Sequence, residues 1–133
     1  MQRPSPFVRH EPTGSRDDWE TSAEDPGCRW RTLTSSDRTP SERLTTGVLE
    51  IAPGGCLRAH WHAPPEVYHV IAGEGVVTVA GVPHTVKPGA TVFIPGDTMH
   101  GIDNRSRELF KIFYSFPVDS FAEVEYHYPA GGE

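Results

Sequence analysis

From Arg29 onward the chain is a succession of short runs in which apolar and polar residues alternate, each closed by glycine or proline. The period of two, with Val, Ile, Thr, Tyr and Phe enriched, predicts strands over 30–34, 44–51, 66–72, 76–80, 84–86, 91–94 and 109–116. A last run over 121–128 follows Pro117 and reads as a terminal strand. Between the runs lie Ala52-Pro53-Gly54-Gly55, Gly73-Glu74-Gly75, Lys87-Pro88-Gly89 and Pro95-Gly96-Asp97, all turn formers. Strands this short with turns this frequent predict an all-β sandwich or barrel, and a jelly roll protects the many strand edges. A helical period is absent, apart from a weak candidate over 15–22. Residues 1–27 are polar and aperiodic and read as a mobile N-terminal arm, with Trp19 as a partly buried anchor. Residues 28–133 then form the single folded domain.

Composition narrows the classes of partner. The 133 residues suit one domain, and the 13 glycines and 13 prolines are spread as turn punctuation. A net charge of −6 argues against a nucleic-acid partner. No apolar run approaches the roughly 20 residues of a membrane helix, and the first residues lack the apolar core of a signal peptide. The expected compartment is the cytoplasm, where Cys28 and Cys56 remain free thiols.

The chemistry concentrates in two clusters. In the first, Gly54 is followed by His60, Trp61 and His62, then by Glu66 and Gly73. Alternation on a strand puts His60 and His62 on one face, and a return at Ala63-Pro64-Pro65 brings Glu66 back over them. In the second, Gly89, Pro95, Gly96 and Asp97 precede His100 and Asn104, and the turn redirects His100 toward the same cavity. Three imidazoles and a carboxylate suit a borderline divalent ion: Fe, Mn, Ni, Co or Zn. One or two coordination positions would stay open for water or substrate, as in catalytic sites.

Other residues carry two readings each. Tyr68 shares the parity of Glu66 and is either a general base beside the metal or a barrel-lining phenol. Tyr126 reads as a buried aromatic of the terminal run. Tyr114 shares a face with Phe110, Ile112 and Phe116 and reads as core, or as pocket lining if that face is the inner one. Arg58 has the parity of His60 and is either a substrate-carboxylate anchor or a solvated rim residue. Trp61 and His69 should face outward, and His10, His84 and His127 read as surface residues.

The two clusters resemble the cupin motifs G-x5-HxH-x3-E-x6-G and G-x5-PxG-x2-H-x3-N, departing only where Asp97 stands for glycine. The resemblance implies a single-domain cupin jelly-roll β-barrel with one metal ion on His60, His62, Glu66 and His100. The flanks, with Trp19 to Trp30, Glu50 to Gly55 and Phe116 to Tyr126, are similar to the small cupins that cleave dimethylsulfoniopropionate. That likeness implies a metal-dependent lyase of a small-molecule carboxylate, with Tyr68 as the base at the α-carbon and Tyr126 supporting it. The products would be dimethyl sulfide and acrylate. Cupins also include Fe(II) dioxygenases, biosynthetic catalysts and non-catalytic binding modules, which stand as alternatives. A homodimer is expected of so small a barrel.

Overall fold

The computed structural model describes residues 3–11 and 18–130. Among them are ten strands: β1 (Glu20–Thr21), β2 (Cys28–Thr34), β3 (Thr45–Ile51), β4 (Cys56–His60), β5 (Glu66–Ala72), β6 (Gly75–Val79), β7 (Val82–Val86), β8 (Thr91–Ile94), β9 (His100–Asp103) and β10 (Phe110–Phe116). All pairings are antiparallel. The strands form a six-stranded sheet, β1-β2-β3-β10-β5-β8, and a four-stranded sheet, β4-β9-β6-β7. These are the two layers of a jelly roll, joined by packing rather than by a continuous ring of backbone hydrogen bonds.

The sequence pattern accounts for the layers. Along β10, Phe110, Ile112, Tyr114 and Phe116 are buried while Lys111, Phe113 and Ser115 are less so, the alternation a half-buried strand requires. On β5 the inward set is Glu66, Tyr68 and Val70. The apolar core between the sheets joins Leu49, Ile51, Val77, Ile94 and Ile102 to these residues.

In β3 alternation fails, because five consecutive residues from Gly47 to Ile51 are buried. Leu49 and Ile51 face the core; Val48 and Glu50 lie on the opposite face, which the N-terminal segment covers. Glu11 contacts Arg31 and Lys111, Asp18 pairs with Arg31 at 2.8 Å, and the Trp19 ring lies 4.1 and 4.2 Å from the guanidinium carbons of Arg29 and Arg31.

Two expectations are corrected. The helix over 15–22 does not form in its described part: Glu20 and Thr21 pair with Trp30 and Arg29, while residues 15–17 lie outside the described residues. The segment has no apolar face to bury as a helix, whereas the edge of β2 offers it backbone partners. The sheet thus begins at Glu20, within the stretch read as an arm. The terminal run over 121–128 is not a strand. It opens with a 3-10 turn, Phe121–Glu123, and continues irregularly to a single bridge between His127 and Trp61. The Ser120 N–H donates to the Glu123 carboxylate at 3.0 Å, which favours the turn over extension.

Candidate metal and substrate site

His60 closes β4 and His100 opens β9, and the two are register partners across the smaller sheet. His62 follows two residues after His60, and Glu66 opens β5 on the larger sheet. The ring centroids of His60 and His100 are 4.2 Å apart, those of His62 and His100 4.9 Å, and those of His60 and His62 5.5 Å. One nitrogen from each ring lies within 4.8 Å of the other two, and all three residues are buried.

Backbone carbonyls orient each ring. His60 Nδ1 lies 2.8 Å from the Arg58 oxygen, His62 Nδ1 2.9 Å from that of Pro64, and His100 Nδ1 2.8 Å from that of Thr98. A carbonyl only accepts, so each Nδ1 carries a proton and each Nε2 is turned to the centre, where the neutral ring keeps its lone pair and a protonated His62 would donate to Glu66. Glu66 Oε1 lies 3.1 Å from His62 Nε2 and 3.3 Å from His100 Nε2, and His100 Nε2 is buried without a hydrogen-bond partner. Lone pairs facing a carboxylate oxygen in a buried space fit a cation between them. Burial, then the neighbouring His100, holds the His60 pKa down to about 4, so its imidazole is neutral and able to ligate at neutral pH. For His62 burial opposes the charged form, but the hydrogen bond and charge of Glu66 prevail and raise its pKa. The three histidines could hold a metal ion.

The second cluster positions His100 through its turn. Asp97 adopts a φ of 56°, and its N–H donates to the His62 carbonyl at 2.7 Å. Asp tolerates this left-handed geometry, so its replacement of the usual glycine leaves the turn intact. Gly96 has no such freedom, because a Cβ there would collide with the Ala63 carbonyl oxygen. Asn104 is 1 % exposed and ties backbone together: its Nδ2 donates to the Ile51 and Glu108 carbonyls, and its Oδ1 accepts from the Ser106 N–H and hydroxyl.

Beside the histidines lies a cavity of about 350 Å³, bordered by His60, Glu66, Tyr68, Tyr114 and Tyr126. Tyr68 is inward, as its parity predicts, and its ring centroid is 6.0 Å from that of His100. Burial first, and then the charge of Glu66, raises the Tyr68 pKa well above the ordinary phenol value. Tyr126 sits over the cluster, 5.2 Å from the His60 ring and 5.5 Å from that of His62, and burial likewise raises its pKa. The terminal segment is held there by paired backbone hydrogen bonds of 3.0 and 2.9 Å between Trp61 and His127, whose rings stack at 5.6 Å. His127, read as a surface residue, is thus a fastening point. Tyr114 is both core and cavity wall, its hydroxyl over Gly47, where a side chain would collide with it.

Arg58 is not among the residues bordering the cavity. The β4–β9 register shifts between Leu57 and His60, so counting parity through this bulge fails, and Leu57 borders the cavity instead. The Arg58 guanidinium lies 3.5 Å from the centre of the Tyr128 ring, turned toward the rim. Among the cavity residues that escaped the sequence reading as site candidates are Asp25, Trp30 and Tyr128. Asp25 and Trp30 lie within the flanking segments whose resemblance was the one signal, and Tyr128 lies just beyond them.

A cupin domain model matches residues 47–116. The chain is 39 % identical over 102 residues to dimethylsulfoniopropionate lyase DddW of Ruegeria pomeroyi, a match covering 77 % of this chain and 66 % of that protein. It also resembles a chain from the crystal structures of the DMSP lyases RdDddP and RnDddQII, with TM-score 0.70, 19 % identity, and coverage of 84 % of this chain and 61 % of that one. The polyketide cyclase RemF of Streptomyces resistomycificus superposes with TM-score 0.71 at 18 % identity, covering 92 % of this chain and 89 % of that one. Matched by the domain model from β3 through β10, with both histidine clusters inside the match, this chain belongs to the cupin family.

Proposed function

We propose that the protein is a metal-dependent lyase that performs β-elimination on a small carboxylate, with dimethylsulfoniopropionate as its substrate. The observation that carries this reading is the buried set of three Nε2 lone pairs and the Glu66 carboxylate bordering a cavity with Tyr68. The 39 % identity to DddW supports the choice of reaction. The ligands of the ion are His60, His62, Glu66 and His100, and the ion is one of Fe, Mn, Ni, Co or Zn. When bound, it supplies a Lewis acid for the substrate carboxylate and a positive charge that lowers the cost of a Tyr68 phenolate. Tyr68 Oη then takes the proton from the α-carbon. The C–H electrons form the double bond of acrylate, and the carbon–sulfur bond breaks to release dimethyl sulfide. Tyr126, over His60 and His62, closes the reacting space from water. A homodimer in the cytoplasm completes the proposal; exposed Ile71 and Phe93 on the larger sheet supply apolar surface for pairing. None of the described helices is long and apolar enough to cross a membrane.

The test is headspace detection of dimethyl sulfide from purified protein supplied with each metal in turn. Release that requires metal and is lost in Tyr68→Phe is expected. No release at verified metal occupancy would refute the lyase reading and direct the search to oxygen-dependent cupin chemistry.

A further inference from the structure

Asp25 lies in the connection between β1 and β2, is 4 % exposed, and borders the same cavity as His60, Glu66 and Tyr68. Its Oδ1 accepts the Arg58 backbone N–H at 2.9 Å. The Arg58 side chain answers this charge only loosely. Its Nε is 3.6 Å from Oδ1, its Nη2 is 3.9 Å from Glu24, and its plane packs on Tyr128. Among the described residues, no side-chain donor is hydrogen-bonded to Asp25 Oδ2. A buried carboxylate, one oxygen of which takes no side-chain donor, thus borders a largely apolar chamber. Trp30, Phe121, Tyr126 and Tyr128 bring aromatic rings to the same space.

This combination has a specific complement. An onium group, sulfonium or quaternary ammonium, has no N–H to donate and is recognised by ring faces and a nearby negative charge rather than by hydrogen bonds. We propose that Asp25, with the aromatic rings of Trp30 and Tyr128, is the specificity-determining subsite for the cationic end of a zwitterionic onium carboxylate. Its carboxylate end lies at the histidine cluster. The inference rests on the reading of the substrate as a small carboxylate, and it extends what the subsite binds, though not what the reaction cleaves, to onium carboxylates in general. A merely structural Asp25 would need only its Oδ1 acceptor, which asparagine keeps.

The test is calorimetric binding of two unreactive isosteres to the full chain loaded with Zn(II). They are 3-(trimethylammonio)propanoate and 4,4-dimethylpentanoate, alike in shape and different in one charge. The wild type is expected to bind the ammonium compound about tenfold more tightly, an energy in the range of a desolvated cation–π site. In Asp25→Asn that preference should vanish while the neutral compound binds as before. Equal binding of the two by the wild type overturns the proposal, as does a preference that survives in Asp25→Asn. If Asp25→Asn does not fold, Tyr128→Leu carries the test, with a preference reduced about threefold expected and an unchanged one overturning the assignment. Neither isostere can release dimethyl sulfide, so the outcome is independent of the headspace assay. The subsite can fail with the lyase intact, and the lyase can fail with the subsite intact.

Discussion

His60, His62 and His100 each commit one ring nitrogen to a backbone carbonyl, so the other faces the centre with its lone pair before any ion arrives. Losing one of these donors leaves the remaining nitrogens and Glu66 mutually unsatisfied. His62→Ala should therefore weaken metal binding at least about tenfold and abolish turnover, with chelator competition measuring the first. Tyr68 is different, because the proposed elimination uses it as a base and not as a ligand. Tyr68→Phe keeps the ring and the packing, so metal content should be unchanged while the rate falls by roughly 10²–10⁴-fold. A normal rate in Tyr68→Phe would remove it from the base role. At this scale the sequence was most legible: the spacing of His60, His62, Glu66 and His100 already assembled the cluster. Of the two readings of Arg58 the structure bears out the rim one, and the parity that suggested the other does not survive the bulge in β4, which no residue type in Cys56–His60 announces.

Turns decide how the two sheets present these residues. The Gly96–Asp97 turn is clamped to the loop carrying His62, through the Asp97 N–H and the close approach of Gly96 to Ala63. Asn104 ties β3, the loop at Gly54–Gly55 and the turn before β10 into one unit, since its own N–H also donates to Gly55 and its carbonyl accepts from Gly54. Asn104→Ala removes the partner of the buried Ile51 carbonyl and of the partly buried Glu108 carbonyl and Ser106 N–H. It should cost about 2–4 kcal/mol in urea unfolding, given about 1–3 kcal/mol for each group left buried and unsatisfied, part of which water recovers. Equal stability of the variant would show that water replaces the side chain without loss. The strands most exposed to misreading were β4 and β9. Their sequences, CLRAH and HGID, lack an apolar alternation, because each has one inward aliphatic side chain, Leu57 or Ile102, and gives its other inward position to a histidine. The final segment was misassigned for a related reason. Tyr126 and Tyr128 alternate as in a strand, but no sheet edge is there to receive them beyond the single bridge at Trp61.

Across the molecule, burial favours the neutral form of several groups, raising the Cys28 and tyrosine pKa values and lowering that of His60, and this sets a pH response. Cys28, in β2, is 3 % exposed, and burial, followed by Asp25 and Cys56, pushes its thiol up to about 12. An unfolded thiol ionises near 8.5–9, so between about 9 and 12 the unfolded chain has released a proton that the folded chain retains. Stability is therefore full below pH 9 and falls as pH rises through that window. At pH 10 the loss assigned to Cys28 is about 1–2 kcal/mol. Denaturation of wild type and Cys28→Ala at pH 7.5 and pH 10 checks this: the variant should lose less on going to the higher pH, and an equal loss would place the response elsewhere. Both cysteines are free, as the lack of an apolar signal-peptide core in the first residues led one to expect.

Local chemistry in the sequence determined the strand-and-turn character, the inward set of β5 and β10, and the four residues that gather at the centre. Those features depend on period, turn propensity and spacing along one or two elements, so short windows contain them. Tertiary structure alone decided that Asp25, Trp30 and Tyr128 reach the cavity, that the N-terminal segment covers the back of β3, and that the terminal segment folds over His60. Each of these unites positions thirty to a hundred residues apart, and their placement depends on how the sheets pack rather than on any local pattern.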